Sequence, residues 1–192
     1  MKKIEQIYRE ILHQSIEEKN RKLTQKYLSK TLNVSLSTVN YALSPLRDMG
    51  SIEIKQRNFN IIEPKKILYY WASIRNINND VIFKTRVNNT ITAIEKSMPP
   101  KIIFTAYSAY KFIFKETPAD YSEIYVYADN LNEIKRRFQL SKNHPNLFVL
   151  KKDNNLKKLT LANLFVDLWN LKEWYARDFL KTLEAKIDGI LA

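Results

Sequence analysis

Residues 28–43 read LSKTLNVSLSTVNYAL, and this stretch decides the fold of the first third of the chain. Its apolar side chains recur at helical spacing on either side of a break, at Leu28, Leu32, Val39 and Leu43. Ser29 is small enough to let two helices cross closely. Asn33 occupies the break, and Asn tolerates the left-handed backbone that a sharp turn between helices needs. The stretch therefore predicts two short helices joined by a tight turn.

Polar residues mark where both helices begin and where the second one ends. Thr24 and Ser35 each precede a helical run, as expected of N-cap residues whose side-chain oxygens accept hydrogen bonds from the first turn. Gly50 follows the second run and is expected to end that helix in a left-handed conformation. Pro45 lies inside the same helix, so it should kink the helix or limit its useful part to the turns before it.

The segments on either side complete the unit. Residues 2–18 have the pattern of an amphipathic helix, with apolar positions at Ile4, Ile7, Tyr8, Ile11, Leu12 and Ile16. The residues expected off that face are Arg9, His13, Glu17 and Glu18. Residues 52–54 and 59–61 alternate apolar and polar side chains around a polar turn at 55–58, which predicts a two-stranded hairpin with a basic tip.

The order of these features resembles the helix-turn-helix signature of winged-helix regulators. Ser29 fills the small position, and Asn33 replaces the usual Gly. Val34-Ser35 and Thr38-Val39 match the signature. The resemblance covers about a third of the chain and implies a protein that reads duplex DNA with the helix after the turn. A winged helix used for protein contacts is the alternative that stays open.

The exposed side of the second helix carries the side chains expected to read bases. Asn40 can bond an adenine edge through two hydrogen bonds. Ser37 and Thr38, in the first turn, can reach phosphates or bases. Tyr41 is expected on a phosphate or a thymine methyl group, with packing against the hairpin as the alternative. Ser44 projects from the same face, and Ser35, the expected N-cap, is also counted among the contacts.

Contacts to the DNA backbone are expected around this helix. Lys55 and Arg57 at the hairpin tip suit the minor groove or its phosphates, although charges at a turn are about as often only solvated. Arg47 is placed to reach the backbone. Thr24 and Gln25 begin a helix whose N-terminus favours a phosphate. The full set of expected DNA-contacting residues is Thr24, Gln25, Ser35, Ser37, Thr38, Asn40, Tyr41, Ser44, Arg47, Lys55 and Arg57.

The remainder of the chain predicts a separate α/β domain. Residues 65–78 have the pattern of a connecting helix, and the expected domains are 1–63, 64–79 and 80–192. Strands are predicted at 81–84, 101–105, 123–127, 147–150 and 163–166, and helices at 90–98, 107–114, 131–138 and 171–187. For 81–84 a helix that continues to Met98 is the alternative. This alternation indicates a mixed sheet, so the predicted fold is α+β or α/β, with an N-terminal winged helix-turn-helix and a C-terminal α/β domain.

Three stretches of the C-terminal part carry a second resemblance: IFTAYSAY at 103–110, EIYVY at 123–127 and LWNLKEWYA at 168–176. They are similar to AbiEi-type antitoxins and related archaeal winged-helix proteins, whose α/β domain is nucleotidyltransferase-like. The resemblance implies a repressor that also opposes a toxin. A nucleotidyltransferase needs a Gly-Ser pair for the triphosphate and two carboxylates one residue apart for magnesium. Since neither pattern occurs near Ser108 or at 123–127, no catalytic residue, metal or cofactor is expected.

Charge and composition limit the function further. The net charge of +12 favours a polyanionic partner. The absence of Cys excludes disulfides, thiolate zinc sites and cysteine nucleophiles. No apolar run reaches the roughly 18 residues of a membrane span, so a cytoplasmic protein without membrane contact is expected. Basic clusters at 135–137, 151–152 and 157–158 indicate either solvated faces or a second nucleic-acid contact.

Together these patterns predict a transcriptional regulator that binds double-stranded DNA, most simply as a repressor. A homodimer is expected because one reading helix covers too few base pairs for useful specificity. The helix at 65–78 and the terminal helix are the candidate interfaces. Two alternatives stay open: an AbiEi-like antitoxin that regulates its own synthesis and binds a toxin through the C-terminal domain, and an RNA-binding protein or nucleotidyltransferase-type enzyme.

Overall fold

The computed structural model describes residues 1–141 and 143–192, whose contacts group into two compact units. The first unit consists of Met1–Arg75, Thr160–Val166 and Ala185–Ala192, and the second of Asn76–Leu159 and Asp167–Glu184. The segment at 64–79, set apart above as a connector, is divided between the two units because its helix groups with the residues that precede it.

The first unit begins with seven elements: α1 (Lys3–Ile16), β1 (Lys22–Leu23), α2 (Gln25–Leu32), α3 (Leu36–Asp48), β2 (Ile52–Ile54), β3 (Phe59–Ile61) and α4 (Pro64–Ile74). The three strands pair antiparallel in the order β1-β3-β2, with Phe59 opposite both Leu23 and Ile54. The predicted helices and hairpin are therefore confirmed. β1 was not predicted, because two residues are too few to show an alternating pattern. The element order is that of a winged helix-turn-helix.

Burial along α1 follows the predicted apolar face with one correction. Ile7, Ile11 and Leu12 are fully buried, as expected. Arg9, expected off that face, is buried too, as is Glu5. The prediction was wrong for Arg9 because a hydropathy pattern counts apolar side chains only and misses charges enclosed by other elements.

The helix α4 encloses part of α1 through a buried ion pair. The Arg75 guanidinium just after α4 donates to the Glu5 carboxylate over 3.2 Å, and the Trp71 indole donates to the same oxygen over 3.3 Å. All three side chains are almost completely buried. α4 is shorter than the predicted helix at 65–78, since a 3₁₀ turn at Ile77–Asp80 follows it.

The second unit contains a four-stranded sheet: β4 (Val81–Thr85), β5 (Ile103–Thr105), β6 (Ile124–Ala128) and β7 (Leu147–Lys151). The strand order is β4-β7-β6-β5. β6 and β7 run parallel and the other neighbours antiparallel, so the predicted mixed sheet is confirmed. The helices between the strands are α5 (Ile91–Lys96), α6 (Ala106–Phe114) and α7 (Asn132–Arg137). All five residues of the central strand β6 are buried.

Two helices complete the chain: α8 (Leu161–Trp169) and α9 (Ala176–Leu191). The strand predicted at 163–166 is wrong, because these residues lie in α8. The polar residues Asn163 and Asp167 lie four positions apart, which is helical spacing, but the short apolar run between them also fits a strand. The terminal helix begins at Ala176 rather than at the predicted residue 171.

Candidate nucleic-acid interface

The turn between α2 and α3 has the local geometry that its residues dictate. Asn33 adopts φ 52° and ψ 52°, the predicted left-handed conformation. The Ser29 hydroxyl donates to the Val34 carbonyl over 2.6 Å, and the Val34 N–H donates to the Ser29 carbonyl over 3.0 Å. Ser29 is therefore more than a small residue at a helix crossing, since it closes the turn with two hydrogen bonds.

Both ends of α3 are capped as predicted. The Ser35 hydroxyl accepts from the Thr38 N–H over 3.1 Å, and Thr24 caps α2 in the same way by accepting from the Tyr27 N–H. At the other end Gly50 has φ +68°. The Gly50 N–H donates to the Arg47 carbonyl, and the Ser51 N–H donates to the Leu46 carbonyl. This is the hydrogen-bond pattern of a Schellman cap. Both ends of the helix are therefore fixed.

The inner face of α3 holds the helix against the rest of the unit. Val39, Ala42, Leu43 and Leu46 are essentially inaccessible to solvent. Pro45 lies inside the helix, which continues past it to Asp48 without interruption. Because Pro lacks an N–H, the Tyr41 carbonyl loses its α-helical donor. Because its inner face is buried, α3 has little freedom to rotate, and its outer face stays directed away from the unit.

The outer face of α3 is polar and exposed. Ser37, Asn40 and Tyr41 are exposed, and Tyr41 retains 72% of its accessible surface. Tyr41 is thus not packed against the hairpin, which was the alternative role for it. Leu36, which the sequence analysis did not assign to the face, is 54% exposed at the first position of the helix.

The hydroxyls at the start of α3 form a small cluster. The Ser35 Oγ lies 3.0 Å from the Ser37 Oγ and 2.8 Å from the Thr38 Oγ1. Ser35 already accepts the capping hydrogen bond, so its first role is to hold the helix end. Ser37 stays the more exposed of the other two.

The last turn of α3 is less basic than its sequence suggests. The Arg47 guanidinium donates to the Asp48 carboxylate from Nη2 over 3.0 Å and from Nε over 3.1 Å. It also donates to the Ser44 hydroxyl over 3.2 Å. Arg47 and Ser44 therefore already bond to each other, and Asp48 partly compensates the charge of Arg47.

A cleft of about 290 Å³ brings the remaining predicted contacts together. Its lining comes from the start of α2, the start of α3 and the hairpin: Thr24, Gln25, Lys26, Leu36, Ile54, Lys55, Gln56, Arg57, Asn58 and Phe59. Lys26 was missed by the sequence analysis because nothing in its neighbourhood marks it out. Thr24, Gln25, Lys55 and Arg57 were predicted, and all four line this one cleft.

The charge of the hairpin tip is partly compensated. The Lys55 ammonium donates to the Glu53 carboxylate, and this hydrogen bond lowers the pKa of Glu53 below its ordinary value. Lys26 and Arg57 are both exposed beside this pair. The hairpin tip thus stays basic, although one of its two cations, Lys55, is paired with Glu53.

The polar side chains of the second unit differ in their exposure and in their partners. Ser108 is buried, whereas Asp120 is exposed. Asp129 binds the Lys152 ammonium over 2.8 Å. The basic residues of α7 are exposed, and Arg137 donates to the Ser97 carbonyl.

Comparison with known proteins agrees with the geometry of the first unit. Residues 6–53 match the family of winged helix-turn-helix DNA-binding domains. This match runs from α1 into β2 and includes both helices of the turn. The chain therefore carries a winged helix-turn-helix domain in its first unit. No curated protein and no solved structure matches the chain, so the resemblance of the C-terminal part to AbiEi-type antitoxins stays a prediction. Within residues 1–141 and 143–192, every helix is too short or too polar to cross a bilayer.

Proposed function

We propose that the protein is a sequence-specific regulator of transcription that binds double-stranded DNA and acts as a repressor. The observation that carries the proposal is the exposed polar face of α3, held by a buried apolar face and two capped ends. Base edges in a major groove are read by such amide and hydroxyl groups. Repression follows most simply, because a protein seated on a promoter excludes the polymerase without a further contact.

The cleft beside α3 supports DNA over a protein as the partner. Lys26, Lys55 and Arg57 surround it together with the N-terminus of α2, and such groups attract phosphates. The net charge of +12 adds attraction that does not depend on sequence.

The expected DNA-bound form is a homodimer. A single helix as short as α3 contacts only a few base pairs, and two copies double the length of sequence that is read. Light scattering on the free protein and on a complex with its site tests this expectation. A single copy per site at saturation would contradict it.

The regulator is tested by fluorescence anisotropy with duplex DNA from the region upstream of its own coding sequence. Binding should weaken steeply as salt rises, because phosphate contacts release counterions. Asn40→Ala should relax the choice of sequence, whereas Arg57→Ala should weaken binding to all duplexes by a similar factor. Lys84→Ala removes the same charge as Arg57→Ala from an exposed position in the second unit, outside the basic clusters, and should leave affinity almost unchanged. Failure to bind any duplex at low salt would overturn the proposal.

A second candidate function is that the same regulator also binds a protein, as an antitoxin binds its toxin. The observation that favours it is a groove of about 800 Å³ in the second unit, lined by Trp169, Leu171, Trp174 and Leu180 among other residues. Trp174 is 81% exposed and Trp169 is 47% exposed. Exposed tryptophans of this kind are frequent anchors of protein interfaces.

Co-purification with the product of a neighbouring gene tests the second candidate. Trp174→Ala should abolish the complex while leaving DNA binding intact. Leu140→Ala, at an equally exposed apolar side chain outside the groove, is the matched control and should leave the complex intact. A complex that survives Trp174→Ala would remove the groove as its site.

A further inference from the structure

The outer face of α3 carries no charge over its first nine residues, although the chain as a whole is strongly basic. The side chains available there are Leu36, Ser37, Thr38, Asn40, Tyr41 and Ser44. The first charged residue of the helix is Arg47, and its guanidinium is engaged with Asp48 and Ser44. The cations of this surface lie instead around the cleft beside α2 and the hairpin.

This separation decides which base pairs the helix can recognise. In the major groove guanine presents two acceptors, which are read most often by Arg or Lys. Adenine presents an acceptor and a donor, which match the amide of Asn, and thymine presents a methyl group, which matches an apolar side chain. The face of α3 offers the amide of Asn40 and the large apolar side chains of Leu36 and Tyr41. The only cation of the helix, Arg47, is paired with Asp48.

The exposed positions are also spaced for successive base pairs. Leu36 and Asn40 lie four residues apart and so share one row of the helix surface, and Ser37 and Tyr41 form the adjacent row. From Leu36 to Tyr41 the helix rises about 7.5 Å, which is roughly two base-pair steps. The two most exposed apolar side chains of the face, Leu36 and Tyr41, are therefore far enough apart along the helix to reach different base pairs.

We infer that α3 selects A·T base pairs: Asn40 bonds an adenine edge, and Leu36 and Tyr41 pack against the C5-methyl groups of neighbouring thymines. Lys26, Lys55 and Arg57 then supply attraction to phosphates without choosing sequence. The inference rests on the proposed binding of duplex DNA and adds the class of site that is bound.

The first experiment selects bound duplexes from a random pool with the full-length protein. The enriched site should contain adjacent A·T pairs at its centre. Thymines in that site are then replaced one at a time by uracil, which differs only in lacking the C5-methyl group. Loss of one buried methyl contact should lower affinity about fourfold.

Three variants assign the effect to residues. Leu36→Ala should bind the thymine and uracil duplexes equally at one position, and Tyr41→Ala should do so at another. Both side chains are exposed, so the fold should tolerate either change, and circular dichroism checks this. Arg57→Ala is the matched control: it should weaken both duplexes and leave their ratio at about four.

The outcomes separate the inference from the proposed function. If no duplex is retained from the pool at low salt, DNA binding itself fails. If duplexes are retained but the enriched centre contains G·C pairs, or if uracil substitution changes nothing, the inference alone is overturned. Loss of a G·C preference in Arg47→Ala would show that Arg47 leaves Asp48 and reads guanine, which also contradicts the inference.

Discussion

The two units place their polar side chains in opposite ways. In the first unit the amide and hydroxyls of α3 face outward on a helix that apolar contacts hold. In the second unit carboxylates are enclosed by hydroxyls: Asp167 accepts from Thr105 over 2.8 Å and from Tyr127 over 2.7 Å, and all three side chains are inaccessible to solvent. Changes on the first surface should therefore alter binding, whereas changes at the second should alter stability.

The same contrast appears at a second carboxylate of the second unit. Glu173 accepts from the hydroxyls of Tyr107 and Tyr125 over 3.1 and 3.0 Å. Burial and the neighbouring charge of Glu173 raise the pKa of both tyrosines far above their ordinary values, so both stay hydrogen-bond donors. We refer to Thr105, Tyr107, Tyr125, Tyr127, Asp167 and Glu173 as the tyrosine–carboxylate cluster.

The largest expected effect on stability is at Glu5, because the first unit encloses this carboxylate, as the second unit encloses Asp167. Glu5→Ala removes the carboxylate to which Arg75 and Trp71 donate. Breaking one partner of a buried ion pair costs about 3–5 kcal/mol, and we expect that loss in the free energy of unfolding. Urea denaturation followed by circular dichroism measures it.

Glu63→Ala is the control for Glu5. Glu63 is exposed at the start of α4 and makes no capping hydrogen bond with its side chain, so its removal should change stability by less than about 0.5 kcal/mol. If both variants lost the same free energy of unfolding, removal of a negative charge, and not loss of the buried ion pair, would account for the effect.

The next effect is at the tyrosine–carboxylate cluster. Asp167→Ala leaves the hydroxyls of Thr105 and Tyr127 without that acceptor, and each buried donor left without a partner costs about 1–3 kcal/mol. We expect the free energy of unfolding to fall by about 3 kcal/mol, and by about half as much in Tyr127→Phe. Chemical denaturation compares them, with Asp120→Ala at an exposed position as the control. A loss for Asp167→Ala no larger than for Asp120→Ala would remove the cluster as a source of stability.

The sequence predicts the first unit better than the second because the first depends on local chemistry. A left-handed Asn33, the caps at Thr24 and Ser35, and the stop at Gly50 each follow from neighbours a few residues away. The exposure of Asn40 and Tyr41 follows from helical periodicity once the buried face is known. The pairing of Arg47 with Asp48 was missed although the two are adjacent, since charge counts do not show which cations are engaged.

Contacts between distant residues account for most of the rest. Glu5 and Arg75 lie seventy positions apart, and the sequence around either residue does not predict that they pair. Asp167 follows a run of buried residues that reads equally well as a strand, and only the hydroxyls of Thr105 and Tyr127 explain an acid there. Leu36 and Lys26 join the candidate interface because the hairpin folds beside them.

The smallest expected effect depends on pH and arises at Glu123, next to the tyrosine–carboxylate cluster. Burial raises the pKa of Glu123 above its ordinary value, and the charge of Glu173 raises it further. His144 and the backbone N–H groups of Ser122 and Glu123 act in the opposite direction. The Tyr175 hydroxyl donates to the carboxyl group. Ionisation of Glu123 is therefore harder in the folded protein than in the unfolded chain.

The sign of the pH dependence follows from that shift. The contribution of Glu123 to stability is fully present below its unfolded pKa of about 4.5 and is lost as pH rises through the raised folded pKa. Glu123→Gln stays neutral and keeps an oxygen that accepts from Tyr175. Its unfolding temperature relative to the parent should thus rise between pH 4 and pH 8, whereas Asp120→Asn, at an exposed acid, should show no such trend. If the difference in unfolding temperature between Glu123→Gln and the parent stayed constant over this range, Glu123 would ionise as easily in the folded protein as in the unfolded chain. The enclosed carboxylates of the second unit would then not include Glu123.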